Sequence, residues 1–177
     1  MATANTQPPS AVRLTQYAAL DIKGADAEKF LQGQASAQVG LANGTFAPLT
    51  CFCTPKGRML ANGQLLRLGS DHFRLVLDAS LADGLLTHLK KFAAFYKAEL
   101  SVIGSVTFAG ASEPADTLAN QLDITLPDQP YTHTTSSKGT ALRMPGKPRW
   151  LLMFEKDASE LVNSDDALHN EWQLADI

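Results

Sequence analysis

The sequence has no apolar run long enough to cross a membrane and no excess of basic residues. It contains 15 Lys and Arg against 18 Asp and Glu, which gives a formal net charge of -3 at pH 7. A membrane-spanning helix needs roughly 20 consecutive apolar residues, and a nucleic-acid-binding surface needs clustered positive charge. We therefore expect no membrane and no nucleic-acid partner, while a local cationic pocket for a small anion stays open.

Cysteine is also scarce, with Cys51 and Cys53 as the two thiols. We interpret them as reduced, which indicates a cytoplasmic protein. A closed zinc site needs four ligands, and the four histidines show no paired spacing that would complete one. Because cysteine behaves as a small hydrophobic residue, a structural role in the core is favoured. A second metal-binding half on another segment is the alternative.

The first residues lack the apolar core of a signal peptide and the Arg-rich pattern of a transit peptide. Thr, Asn, Gln and Pro dominate there, so we expect residues 1–12 to form a disordered N-terminal tail. The hydrophobic fraction of 45% and the charged fraction of 19% are those of an ordinary globular protein.

Residues 13–104 read as one β-α-β-β-β-α-β half of a domain. Alternating polarity predicts the strands, and apolar spacing of three and four residues predicts the helices. A Ser80–Asp83 capping box is expected to begin the second helix. The predicted strands are 17–23, 45–53, 58–69, 72–78 and 98–104, and the predicted helices are 24–34 and 80–97.

Residues 105–177 repeat this order more faintly, as a second, incomplete half of the same domain. A strand (106–110), a helix (113–122), a loop (123–139), a hairpin around Gly146 and a helical stretch (158–172) follow in turn. The predicted fold class is therefore α+β, with duplicated β-α-β-β-α-type units and antiparallel sheets.

Two clusters of positive charge are candidate anion sites. Pro55-Lys56-Gly57 forms a predicted hairpin tip, where Lys56 and Arg58 accompany exposed backbone N–H groups. Lys90, Lys91 and Lys97 accompany aromatic residues on and after the long helix, which suits a flat anionic ligand. The alternatives are an ordinary solvated turn and the solvated face of an amphipathic helix. No residue pattern indicates a nucleophile, acid or base, so we assign no catalytic residue.

Four segments, "IKGADAEKFLQGQ", "CTPKGRML", "LKKFAAFYKAEL" and "EWQLADI", occur in an order that resembles the YgfZ-type folate-binding proteins. These are related to the aminomethyltransferase (T-protein) of the glycine cleavage system. The resemblance implies the T-protein folate-binding fold and a bacterial protein that binds tetrahydrofolate or another reduced folate. It also implies support for assembly or repair of iron–sulfur enzymes, with those client proteins as partners. A folate-dependent aminomethyltransferase is the alternative function.

The resemblance also assigns site residues. It implies that two aromatic side chains, Tyr17 and Trp172, contact the folate. The cationic positions of its motifs fall on Lys56, Arg58, Lys90, Lys91 and Lys97, which we expect to attract the glutamate tail of folate.

Three departures from the family pattern bear on function. Thr54 replaces the usual Asp, and the second hairpin strand has no aspartate where the T-protein has its catalytic one, so aminomethyl transfer is not expected. A cysteine-containing signature of the family lies downstream of "WQLADI". We therefore expect the chain to correspond to the N-terminal portion of such a protein.

Overall fold

The computed structural model describes residues 11–155, 162–163 and 172, which divide into two units. The first unit contains residues 15–106 and 131–133, and the second contains the described residues among 1–14, 107–130 and 134–177. Both combine a largely antiparallel sheet with a few helices, which confirms the α+β class. Within the described ranges, no helix is long and apolar enough to span a membrane.

The strands and helices are numbered here in chain order. The strands are β1 (Ala11–Leu14), β2 (Tyr17–Lys23), β3 (Leu49–Cys53), β4 (Met59–Gly69), β5 (His72–Asp78), β6 (Glu99–Val102), β7 (Thr107–Ser112), β8 (His133–Thr135), β9 (Thr140–Arg143), β10 (Arg149–Phe154) and β11 (Val162–Asn163). The α-helices are α1 (Ala27–Gln34), α2 (Ala79–Ala93) and α3 (Asp116–Leu122), and a short 3-10 helix covers Val39–Leu41.

The first unit contains a five-stranded sheet in the order β3-β4-β5-β2-β6, with every pairing antiparallel. Helices α1 and α2 pack on one face of this sheet around a single apolar core. Strand β3 forms one edge of the sheet, where the chain after α1 pairs with it through an isolated bridge between Ala35 and Phe52.

Helix α2 owes its position to one apolar stripe and a cap. Leu85 and Leu89 lie one turn apart and are buried at 2% and 0% exposure, as expected for an amphipathic helix. The carboxylate of Asp78 accepts a hydrogen bond from the Ser80 N–H at 2.8 Å and caps the first turn. The predicted Ser80–Asp83 capping box is therefore wrong, because Asp78 takes the capping position.

The second unit contains a six-stranded sheet in the order β11-β1-β7-β10-β9-β8. Helix α3 packs Leu118 and Leu122 against β7 and β10, next to Trp150 and Leu152. Strand β1 includes Ala11 and Val12, which sequence analysis had placed in the tail; residues 1–10 lie outside the described residues.

Two further predictions in this half need correction. Strand β8 lies in the stretch predicted to be loop, and Val162–Asn163 pairs in parallel with β1 instead of continuing a helix. The rest of the predicted helix at 158–172 lies outside the described residues, apart from residue 172.

Gly24 joins the start of α1 to the chain after α2. Its φ of +138° is one that residues with a side chain rarely adopt, and a Cβ placed on it would lie 2.1 Å from the Lys97 carbonyl oxygen. Beside it, the Asp26 N–H donates to that oxygen at 3.1 Å, and the Asp26 carboxylate accepts from the Lys97 N–H at 2.9 Å. The Gly-x-Asp motif is thus a structural joint.

We predict that Gly24→Ala destabilises the fold by about 2–3 kcal/mol or more, because a strained φ and a backbone clash coincide. Gly84→Ala is the matched control, since Gly84 lies inside α2 with nothing within 4 Å of its added Cβ. The control should gain about 0.5–1 kcal/mol from helix propensity. Urea unfolding followed by circular dichroism measures the free energy of unfolding of both variants. If Gly24→Ala is no less stable than Gly84→Ala, the structural role of Gly24 is refuted.

Candidate ligand-binding site

The β3–β4 turn presents two cations on a well-defined loop. Gly57 has a φ of +80°, and its N–H donates to the Thr54 carbonyl at 2.8 Å. The Thr54 hydroxyl accepts from the Arg58 N–H at 3.2 Å, so the threonine side chain closes the turn. Lys56 and Arg58 are exposed, and their side chains make no hydrogen bond or salt bridge to the described residues. Both cations are therefore free to meet an anion.

The second cationic cluster lies at the end of α2. Lys90 and Lys91 are exposed in the last turn, where the helix dipole favours positive charge. Lys97 is exposed too, although its backbone N–H donates a hydrogen bond to the Asp26 carboxylate. Among the neighbouring rings, Tyr96 packs 5.5 Å from Phe30, whereas Phe95 is 87% exposed. Phe95 is therefore the most exposed ring of this cluster.

Tyr17 begins β2, opposite Asp78 of β5, and is half-buried. Since side chains alternate along a strand, Tyr17 shares a face with Asp21, away from α1 and α2. Lys90 and Lys91 belong to the helix that covers the other face. Tyr17 and these lysines therefore lie on different sides of the sheet.

Trp172 packs within the second unit and is 3% exposed. The Arg149 guanidinium lies 4.5 Å from its ring centroid, a cation–π distance. A Cβ on Gly110 would lie 2.5 Å from the indole Nε1, so the ring rests directly on the β7 backbone. Tyr17 and Trp172 belong to different units, and their shared contact with a ligand stays a prediction.

Sequence analysis missed a buried ionic cluster in the first unit. Asp21 is 1% exposed and accepts hydrogen bonds from Arg74 Nε at 2.7 Å and Arg74 Nη2 at 3.0 Å. His72 Nε2 lies 2.8 Å from the same carboxylate. Two charges of opposite sign in adjacent predicted strands, "YAALDIK" and "HFRLVLD", were the available signal. Asp21 is thus already engaged by protein groups.

His133 is a second buried polar residue. It is 2% exposed, and neither ring nitrogen has a hydrogen-bond partner among the described residues. Its backbone N–H donates to the Thr45 carbonyl at 2.7 Å. Burial lowers the pKa of the imidazole, because it disfavours the charged form.

The two thiols lie differently from expectation. Phe52 takes the core position at 1% exposure, whereas Cys51 is half-buried and Cys53 is exposed. Neither cysteine is therefore a buried core residue. Within the described ranges, no group of three or more His, Cys, Asp or Glu side chains is arranged to hold a metal ion.

Comparison with known proteins gives several relatives. The chain is 32% identical over 169 residues to the tRNA-modifying protein YgfZ of Cronobacter sakazakii, which covers 94% of this chain and 50% of that protein. It is 33% identical over 171 residues to the protein of the same name from Klebsiella pneumoniae, with 94% and 51% covered. The chain thus spans about half the length of these relatives. No protein-family model matches it.

Solved structures share the fold. The glycine cleavage system aminomethyltransferase T from Bartonella henselae superposes with a TM-score of 0.74 at 13% identity, covering 93% of this chain and 50% of that one. A heterotetrameric sarcosine oxidase from Corynebacterium sp. U-96 gives 0.52 at 15% identity, covering 83% and 77%. The expected resemblance to YgfZ proteins and the expected T-protein-like fold are both confirmed.

We predict that Asp21→Asn costs about 3 kcal/mol of stability, because it leaves the buried Arg74 charge without its counter-ion. Glu28→Gln is the matched control, since Glu28 pairs with Arg67 at 2.7 Å but its side chain is 46% exposed. Surface pairs contribute less than about 1 kcal/mol. Chemical unfolding at neutral pH compares the two; a loss no larger in Asp21→Asn than in the control contradicts the prediction.

We predict that His133 makes the fold less stable in mild acid. Its pKa lies below the 6.5 of an unperturbed histidine, so its stabilising effect is complete above pH 6.5 and is lost as the pH falls below that value. His133→Leu removes the titration without removing a side-chain hydrogen bond to the described residues. Melting temperatures between pH 8 and pH 5 should therefore fall less steeply in the variant than in the native chain. Parallel curves rule the effect out.

Proposed function

We propose that this chain, a relative of the YgfZ proteins, binds a reduced folate such as tetrahydrofolate. The observation that carries the proposal is the similarity to YgfZ proteins along 94% of the chain, on a T-protein-like fold. Because the chain spans about half the length of those proteins, the proposal concerns the binding step alone.

The chemistry of folate matches exposed and half-buried groups of the first unit. A pteridine is flat and aromatic, and the half-buried Tyr17 offers a ring face at the start of β2. The glutamate tail is anionic. Lys56 and Arg58 form no salt bridge with the described residues, so neither has to break one in order to bind the tail. We propose that Tyr17 contacts the pteridine and that Lys56 and Arg58 attract the tail; the contact of Trp172 with folate is a separate proposal, tested below by its fluorescence.

We further propose that folate binding supports the assembly or repair of iron–sulfur enzymes, without turnover by this chain. No side chain is assigned a catalytic role. The net charge of -3 favours a small molecule over a polynucleotide as the direct ligand.

Calorimetric titration of the 177-residue protein with 5-formyltetrahydrofolate tests binding. We expect saturation at one site, with Tyr17→Ala weakening affinity by about 1 kcal/mol, roughly fivefold, through lost ring contact. Lys56→Gln with Arg58→Gln should weaken a polyglutamate form more than the monoglutamate, and less so at high salt. Lys147→Gln, an exposed lysine in the other unit, is the charge-matched control.

Tryptophan fluorescence in a Trp150→Phe background isolates Trp172, since the chain has two tryptophans. Trp150 donates through Nε1 to the Pro127 carbonyl at 2.8 Å, so the background variant needs a check of folding. A folded protein that shows no saturable heat and no fluorescence change refutes the proposal. Release of a one-carbon unit from aminomethyl- or methylene-tetrahydrofolate would show a transferase instead.

A further inference from the structure

The edge hairpin carries a cluster of sulfur atoms that the folate proposal does not use. Cys51 and Cys53 are two residues apart on β3, so their side chains lie on the same face of the sheet. Phe52 between them points into the core. The thiols therefore lie side by side on the face away from α1 and α2.

A β-bulge adds a third sulfur to this face. Phe52 pairs with Ala61, but Cys53 pairs with Met59, so Leu60 is the extra residue. Leu60 packs against the core together with Ala61. The bulge thereby turns Met59 to the side of Cys53, where it is 58% exposed. Directly opposite residues of an antiparallel pair have Cα atoms about 4.5–5.5 Å apart, so thioether and thiol are neighbours.

The two thiols are within reach of each other. Cys51 and Cys53 are separated by one residue on the same face of β3, so their sulfur atoms are neighbours. On the other side, Cys51 Sγ lies 3.2 Å from the Ser36 hydroxyl. A soft metal ion that binds these thiols displaces their protons.

Strand geometry disfavours a disulfide between them. Two residues along a strand are separated by about 6.6 Å, close to the upper limit of the Cα distance that a disulfide accepts. A metal ion between the sulfurs needs no such approach, because each metal–sulfur bond is longer than 2 Å.

We propose that Cys51, Cys53 and Met59 form a three-sulfur site for Cu(I). Thiolate and thioether ligands select this soft cation. Zinc requires four ligands, and the described residues offer no His, Asp or Glu to complete such a set. Hard ions such as Mg²⁺ and Ca²⁺ require oxygen ligands, which the three side chains do not provide. The site is independent of folate binding.

Anaerobic titration of the reduced 177-residue protein with Cu(I), in competition with bicinchoninate, measures this site. We expect one Cu(I) per chain. Cys51→Ser and Cys53→Ser should each weaken binding by more than about tenfold, since even groups outside the ligand set alter metal affinity by 10–100-fold. Met59→Leu keeps the size of the side chain, and we expect it to weaken binding about tenfold.

Leu49→Ala is the matched control, because Leu49 is exposed on the same face of β3 and carries no sulfur. Its affinity should stay within about threefold of the native chain, as for an ordinary surface substitution. X-ray absorption at the copper edge should count three sulfur neighbours in the native protein and two in Met59→Leu. Thermal melts establish that each variant is folded.

Binding that is unchanged in Met59→Leu overturns the three-sulfur site, as does Zn(II) binding of equal or greater affinity. A native chain that cannot compete with bicinchoninate overturns it as well. Calorimetry with 5-formyltetrahydrofolate on Cys53→Ser keeps this proposal separate from the folate proposal, since that variant should bind folate like the native chain.

Discussion

The reciprocal contact between Asp26 and Lys97 holds the first unit together. Each residue donates its backbone N–H to the other, one bond ending on a carbonyl at 3.1 Å and one on a carboxylate at 2.9 Å. Two chain segments separated by about seventy residues thereby share one joint, and Gly24 lets them approach. Because the joint fixes where α1 begins and where the chain leaves α2, it commits both helices to the same face of the sheet.

That commitment divides the sheet into two chemically different faces. The face that the helices cover is apolar, and its buried side chains include Leu20 of β2 and Leu100 of β6. The other face carries Asp21 and Arg74, both nearly fully buried, whose mutual pairing offsets the cost of desolvating them. Among the described residues of the first unit, the exposed and half-buried groups that can meet a ligand therefore include the hairpin cations, Tyr17 and the sulfur cluster.

Much of this arrangement was predictable from the sequence. Strand β5 lies at the predicted residues 72–78, because alternation and the Ser-Asp turn before it delimit the run. The end of α2 was placed at 97 rather than Ala93, since the apolar spacing continues through Phe92 and Tyr96 after the helix has ended. The cysteines were wrongly predicted to lie in the core. Alternate residues of β3 face opposite sides of the sheet, and the sequence does not say which set faces the core. The structure places Phe52 in the core and the cysteines on the other face. Strand β8 was missed because it is a short strand at the edge of the sheet, where its pairing with β9 defines it as a strand.

The β3–β4 hairpin shows how one irregularity serves several ends. If β4 paired without a bulge, Leu60 would stand opposite Cys53 and point its apolar side chain to the solvent side, while Met59 would turn toward the core. The extra residue keeps both Leu60 and Ala61 in the core and brings Met59 beside the thiols. It also leads directly into the turn that presents Lys56 and Arg58. One irregularity thus places the sulfur cluster and the cationic turn at the same end of the hairpin.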